Sequence, residues 1–429
     1  MCHLPGFAVA IFGPACEYGT FAVLMESTDT VSGPTDSRPS SAQPFEGITS
    51  VQPDRRYDGV DGPKVAIAHD YLTQLGGAEK MVLSMSRAFP NAPIYTLLYD
   101  PATTYPEFAE RDIRVSAANK IGPLRKHHRL GLPIWPAFAQ SMFVDADVVL
   151  TSSSGWAHGF RTRGRKLIYC YSPARWLYLS DKYLGEDASL AKRVGLAATR
   201  PYLKAWDRRM AHGADKYLAI STLIKGRITE AYGLESEVVF GPAETTNLAA
   251  AEPIPALNGT GAENGGFYLC VSRLLPYKNV DVIIRAFADT DRKLVVVGRG
   301  PEAERLRGIK TPNVLMLSDL TDGQISWLYE NCQALIAASY EDFGLTPIEA
   351  GMRGRPTVAV RWGGFLDTVD EGLSGIYFDE PEPGAIAEAI DRFEQTQFDS
   401  DKIRRHVEQF SEEHFAERLY GIVNELAGG

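Results

Sequence analysis

The sequence predicts two tandem doubly wound α/β domains with a cleft between them, and three observations carry that expectation. Short β-branched runs alternate with amphipathic stretches from Lys64 onward, as in a parallel sheet covered by helices on both faces. The series breaks at "AETTNLAAAEPIPALNGTGAENGG", which is poor in large apolar residues, and then starts again. The length of 429 residues, 45% of them hydrophobic, suits two globular units with an extension.

Residues 1–62 are expected to be a disordered N-terminal extension. Its opening, "MCHLPGFAVAIFGPACEYGTFAVLM", lacks a positively charged start, and Pro14 and Glu17 interrupt the apolar stretch. Export is therefore not expected. From Glu26 to Gly62, Ser, Thr, Pro, Asp and Gly dominate, and such a segment buries too little surface to offset its ordering entropy. The first domain, 63–245, draws its strands from "KVAIAHDY", "IYTLLYD", "ADVVLTSSS", "KLIYCYS" and "KYLAIS". A linker covers 246–265. The second domain, 266–409, draws on "FYLCVS", "KLVVVG", "NVLMLSD", "ALIAAS", "PTVAV" and "GIYF", with helical spacing at Val280, Ile283, Ile284 and Phe287 between them. The stretch 410–429 has helical spacing at Phe415, Leu419 and Val423. It docks either on the second domain or back on the first.

The formal net charge of -10 and a pI near 5.4 argue against nucleic acid as a partner. Basic residues do cluster locally in "LRKHHRLGLPIWPAF", where their mixture with aromatic residues suggests peripheral contact with a membrane or a loop over an acceptor cleft. The cysteines, Cys2, Cys16, Cys170, Cys270 and Cys332, are scattered and form no C-x-x-C pair. A reducing compartment follows, with neither disulfide scaffold nor zinc site. No apolar run is long enough to cross a bilayer.

Ligands of doubly wound domains bind beyond the carboxyl ends of the strands, so the segments leaving those ends hold the candidate site. "SYEDFGLTPIEA" leaves the strand "ALIAAS". Thr346-Pro347-Ile348-Glu349 matches a capping box, so Glu349 has a helix-start role available as well as a ligand role. Glu341 precedes the helix and has no such role. Phe343, Gly344 and Leu345 would aim backbone amides and a helix dipole at the same place, which suits phosphate. In "CVSRLLPYKNVD", Arg273 and Lys278 bracket a turn before a helix that Asn279 is placed to cap. Two cations there would neutralise a diphosphate leaving group. In "HDYLTQLGGAEKMV", Gly76 and Gly77 allow close backbone approach to a ligand, although a simple turn uses the same residues. In "TSSSGWAHGF", His158 is either a sugar contact or a buried structural histidine. "VVVGRGPEA" imitates a dinucleotide fingerprint, but its strand is not the first of the domain and Pro301 removes an amide. It reads as a tight turn into a helix starting at Pro301.

Together these segments resemble the retaining glycosyltransferases of family 4, over about Lys64 to Asp379. "EDFGLTPIE" is similar to that family's E-x7-E element, "SRLLPYKNVD" to its phosphate-binding element and "GGAEK" to its N-terminal glycine loop. "KVAIAHDYL", "YSPARW" and "WDRRMAHGADKYLAIS" resemble a bacterial mannosyltransferase subgroup of polysaccharide and O-antigen assembly. The resemblance implies the GT-B fold and transfer of a hexose, mannose from GDP-mannose first among them, to a glycan or lipid-linked acceptor. It implies that Arg273 and Lys278 hold the donor diphosphate, with amides of Gly76 and Gly77. It assigns the sugar hydroxyls to Glu341 with the amides of Phe343, Gly344 and Leu345, the ribose to Glu349, and the reacting centre to His158. No metal or resident cofactor is implied, and the setting would be cytoplasmic, peripheral to the inner face of the cell membrane. The chain departs from the subgroup at Tyr171 (histidine there), Tyr178 (aspartate), Ile220 (asparagine) and "FGPAE". A same-fold sugar-nucleotide epimerase and a noncatalytic nucleotide-sugar-binding protein are the alternatives.

Overall fold

The structure, a computed structural model, describes residues 62–178, 190–243 and 249–428. The expectation of disorder for residues 1–62 thus lies outside the described residues, except at Gly62.

The central apolar runs form strands because both faces of each are covered, and shorter strands extend the sheets at their edges. In the first domain these are β1 Val65–Leu72, β2 Ile94–Tyr99, β3 Ile113–Val115, β5 Val148–Ser153, β7 Arg165–Cys170, β8 Lys216–Ala219 and β9 Glu237–Val238. They lie parallel in the order β3-β2-β1-β5-β7-β8-β9, and the short β4 Phe143–Val144 and β6 Arg161–Thr162 pair separately. In the second domain β10 Phe267–Val271, β11 Leu294–Val297, β12 Val314–Leu317, β13 Cys332–Ala337, β14 Thr357–Val360 and β15 Gly375–Phe378 run parallel in the order β12-β11-β10-β13-β14-β15. Along β1, Val65 and Ile67 enter one core while Ala66 and Ala68 enter another. Along β10, Tyr268 and Cys270 face one side and Phe267 and Leu269 the other. Each sheet is therefore a filling between two apolar layers, and its strands show no polar alternation.

The order reverses between β1 and β5 in the first sheet and between β10 and β13 in the second. At these switch points the loops diverge and leave a crevice. The strands β3 and β9, absent from the sequence expectation, are short edges without two buried faces. The predicted linker is less loose than expected. Ile254, Leu257 and Ala262 are buried against Phe267 and Leu269, and the Glu252 carboxylate accepts from the Thr321 hydroxyl at 2.9 Å. The helix expected from Pro301 begins at Ala303, after a turn closed by the Ala303 amide on the Gly300 carbonyl at 3.1 Å.

The C-terminal helix Glu412–Gly428 crosses back to the first domain. Phe415, Leu419, Ile422 and Val423 enter the core under β5 and β7, and the Glu412 carboxylate accepts from Ser84 at 2.6 Å and Arg87 Nε at 3.0 Å. The two crossings between the domains lie side by side, with the Ala243 amide donating to the Phe410 carbonyl at 2.8 Å. Phe240, Phe343 and Phe410 pack together there, with ring centroids 5.2 to 6.2 Å apart.

Candidate functional site

The second switch point gathers the predicted donor residues. After β10 the chain turns through Pro276–Lys278, and after β13 it runs through Ser339 to Gly344. Lys278 is 7% exposed, and its ammonium donates to Glu341 Oε1, which also accepts from Ser339 Oγ at 2.8 Å. Burial works against the Glu341 carboxylate, but Lys278, with Ser339 and the charge of Arg273, holds its pKa below the usual 4.5. Arg273 donates to the Tyr277 hydroxyl at 3.0 Å, and Lys278 Nζ stands 5.0 Å from the centroid of the same ring. Asn279 does not cap the following helix as expected. Held at φ 54°, it uses its amide to donate to the Ala338 carbonyl at 2.9 Å, tying the β10 loop to the end of β13. Below, burial pushes the Cys270 thiol up to about 12, so no thiolate is at hand.

The helix of the E-x7-E segment starts two residues earlier than its sequence suggests. It spans Leu345–Met352 with Gly344 at φ +86° as its N-cap, and the predicted capping box at Thr346 and Glu349 does not form. Gly344 allows this early turn because a side chain there is strained, and a Cβ would stand 2.6 Å from the Phe365 ring. The amides of Phe343, Gly344 and Leu345 have no protein acceptor among the described residues. Glu349 accepts from the buried Tyr329 hydroxyl at 2.6 Å instead of capping. A glycine pair that sequence reasoning overlooked backs the loop. The Gly364 amide donates to the Glu341 carbonyl at 2.9 Å, and a Cβ on Gly364 would meet the Phe343 backbone at 2.1 Å.

The first switch point is built differently. Gly76 is the N-cap of the helix Gly77–Ala88, whose third residue, Glu79, is 2% exposed. Glu79 Oε2 fills the place of the missing Gly76 side chain, where a Cβ would lie 2.3 Å away, and has no hydrogen-bond partner. Glu79 Oε1 lies 4.0 Å from Nε2 of buried His69, whose Nδ1 meets Ser152 Oγ at 2.9 Å. Burial disfavours the His69 imidazolium, yet Glu79 and Asp70 outweigh it and raise its pKa above 6.5. Asp70 accepts the amides of Ser154, Trp156 and Ala157 at 2.9, 2.9 and 2.6 Å. Gly76 and Gly77 thus sit on this lobe, apart from the cluster around Lys278.

His158 lies in the interior of the first lobe. It is 2% exposed, with Nδ1 3.1 Å from Ser153 Oγ and Nε2 3.1 Å from Oδ1 of the fully buried Asp207. Asp207, on the long helix Leu190–Ala211, stands beside the ring in the domain interior, and neither His158 Nε2 nor Asp207 Oδ1 has a hydrogen-bond partner among the described residues. Two departures from the subgroup are absorbed by the same interior. Tyr178 donates to Asp207 Oδ2 at 2.8 Å, and the Tyr171 hydroxyl lies 2.7 Å from Ser152 Oγ. Sequence reasoning missed Asp70 and Asp207, although the histidine–aspartate pair ending "AIAHD" was a visible signal of charge at a strand end.

Comparisons with known proteins follow this geometry. Residues 259–413, which include the whole second sheet with Arg273, Lys278, Glu341 and Glu349, match the family described as Glycosyl transferases group 1. Alpha-1,3/1,6-mannosyltransferase ALG2 of Dictyostelium discoideum is 24% identical over 425 residues, 84% of this chain and 98% of that one. The GDP-mannose-dependent alpha-(1-6)-phosphatidylinositol monomannoside mannosyltransferase of Mycolicibacterium smegmatis is 25% identical over 239 residues, 47% of this chain and 62% of that one. Among solved structures, Anabaena Alr3699/HepE in complex with UDP-glucose aligns with a TM-score of 0.59 at 17% identity, over 85% of this chain and 100% of that one. That likeness shows the fold, GT-B, with its two Rossmann-like domains.

Proposed function

We propose that this chain is a retaining hexosyltransferase of family 4 type, with GDP-mannose as its donor and a glycan or lipid-linked molecule of envelope polysaccharide assembly as its acceptor. The observation that supports the reading is the gathering of Arg273, Lys278 and Glu341 at one strand-end rim, followed in the chain by three amides without a protein acceptor among the described residues. Similarity to glycosyltransferases, two of them mannosyltransferases by name, supports the hexose and points to mannose.

The chemistry follows from the groups present. Breaking the bond between the anomeric carbon and the phosphate oxygen leaves negative charge on a nucleoside diphosphate. Lys278 has three N–H donors and spends one on Glu341, so its remaining donors and the amides of Phe343 to Leu345 would meet that charge, with the Arg273 guanidinium adding its positive field. These groups take the part that a metal ion plays elsewhere. Glu341, held ionised by Lys278, accepts hydrogen bonds from sugar hydroxyls. Glu349 would receive the ribose through the oxygen that Tyr329 leaves available. The glycine loop at Gly76 and Gly77 would approach the diphosphate from the other lobe. The acceptor's proton passes to the departing phosphate oxygen, on the face the diphosphate leaves, so the anomeric configuration is kept.

The acceptor lobe would meet the inner face of the cell membrane through the 121–135 segment, where Ile121 and Ile134 are exposed beside Arg125 and His127. No described helix is long and apolar enough to cross a membrane. Anionic liposomes at low salt test this contact, and a chain that stays in the supernatant removes it.

Incubation with GDP-mannose and with UDP-glucose tests the function. Nucleoside diphosphate release that rises with added glycan or lipid-linked acceptor supports transfer. Conversion of the donor sugar without acceptor would make the chain an epimerase, and binding without any release would make it a noncatalytic binder.

A further inference from the structure

Asp342 stands between Glu341, the sugar ligand of the proposed function, and Phe343, the first of the open amides. Its own side chain turns away from the crevice and out of the second lobe. The carboxylate is shared by two arginines of the first lobe, Arg227 at 2.6 Å and Arg175. The Asp342 carbonyl accepts from Ser221 Oγ at 2.5 Å, and Ser221 in turn caps the helix Thr222–Tyr232 by accepting the Ile224 amide at 3.2 Å. The next residue, Thr222, donates both its amide and its hydroxyl to Asp367, at 2.8 and 2.6 Å. Asp367 follows the glycine pair that packs behind Glu341 and Phe343. The first lobe therefore holds the donor loop by a carboxylate, by a carbonyl and by the segment that backs it.

These contacts do more than join two domains. An ion pair serving only as glue has no need to fall on the residue between a ligand carboxylate and a ligand amide. With Gly344 at positive φ two residues on, the loop is held from the second lobe by the Gly364 amide and Lys278, and from the first lobe through Asp342. The Asp342 carboxylate is largely buried between its arginines, where charge-assisted hydrogen bonds are strong and directional.

We propose that Asp342 is a positioning residue: docking of the first lobe through Arg175, Arg227 and Ser221 sets the backbone of Glu341 to Leu345 in its donor-binding form. Docking at this seam and donor binding are then coupled through Asp342. This rests on the reading of the crevice as a nucleotide-sugar site.

The experiment uses the full chain and four forms: the original, Arg175→Ala, Asp342→Asn, and the charge exchange Arg227→Asp with Asp342→Arg. GDP-mannose and UDP-glucose affinities are measured by calorimetry, and the distance between spin labels at Glu110→Cys and Gln395→Cys is measured with and without nucleotide. Both label sites are exposed. The expected result is a loss of donor affinity of about tenfold in Asp342→Asn and a smaller loss in Arg175→Ala. A wider spread of interlobe distances accompanies both, KM rises more than kcat falls, and the charge exchange recovers part of the affinity. Arg175 is half exposed, so its variant keeps the proposal testable if Asp342→Asn folds poorly. Unchanged affinity in both single variants overturns the proposal, as does lost affinity with an unchanged distance distribution. If the original chain binds neither nucleotide sugar, the reading of the crevice fails first and takes this coupling with it.

Discussion

The two lobes carry the same strand order around their switch points, yet they spend their loop amides in opposite ways. In the first lobe, the loop after β5 gives three amides to Asp70, which comes from β1. In the second lobe, the corresponding loop after β13 leaves the amides of Phe343, Gly344 and Leu345 open, and the chain after β10 supplies Lys278 and Arg273 instead of a carboxylate. One rim spends its amides on its own carboxylate, and the other leaves three amides without a protein acceptor among the described residues beside the Lys278–Glu341 pair. A doubly wound sheet therefore offers a crevice at every switch point, but it offers an anion site only where amides stay unspent and cations stand beside them.

The sharpest way to break this contrast is Lys278→Ala. Donor kcat/KM should fall by about 10²–10³-fold, as when an enzyme loses one preorganised donor to a developing charge. Circular dichroism should show the fold retained, and turnover close to the original would remove Lys278 from the site. The mirror experiment is Asp70→Ala. Three amides lose their acceptor at once, so unfolding in urea should show a loss of about 3 kcal/mol, with donor affinity little changed. A donor-affinity loss as large as that of Lys278→Ala would show the rims to be less independent than described. Gly344→Ala should cost about 1–3 kcal/mol for the strained backbone. It should also weaken donor binding, because the Phe365 ring forces the loop to move.

The smallest effects concern pH, and here the lobes differ in sign. His69 has its pKa raised above 6.5, so its stabilising contribution is complete below that value and is lost as pH rises through the higher folded value. Glu341 has its pKa lowered from 4.5, so its contribution is present above 4.5 and is lost as pH falls through the lower folded value. Glu79→Gln should therefore reduce stability at pH about 6 by about 1 kcal/mol and have less effect at pH about 9. Thermal melts at both values check this, and an equal loss at both would detach His69 from Glu79.

Much of the fold was legible because a strand buried on both faces must be apolar throughout, as "KLVVVG" and "PTVAV" are. The edge strands β3 and β9 were not legible, since each has only a partial cover and no run to show. The placement of Arg273, Lys278 and Glu341 followed from the rule that sites collect at strand ends. What failed were inferences from local chemistry alone. Thr346 to Glu349 spells a capping box, but Gly344 starts the helix before it is reached. Asn279 spells an N-cap, but Ala338 competes for its side chain. His158 carries no local sign of Asp207, 49 residues further along, which is folded beside it. Partners distant in sequence leave no local trace, which also hid the grip of Arg175 and Arg227 on Asp342.

The return of the C-terminal helix to the first lobe has a consequence for biosynthesis. The ribosome delivers the strands of the first lobe early, but Phe415, Leu419, Ile422 and Val423, which complete the core under β5 and β7, emerge only after the second lobe. The second lobe, continuous in sequence, has all its strands before then and is free to mature first. A message cut short before Glu412 would yield a finished downstream lobe attached to an upstream one with a bare apolar groove, and such a product is a natural client for chaperones and proteases.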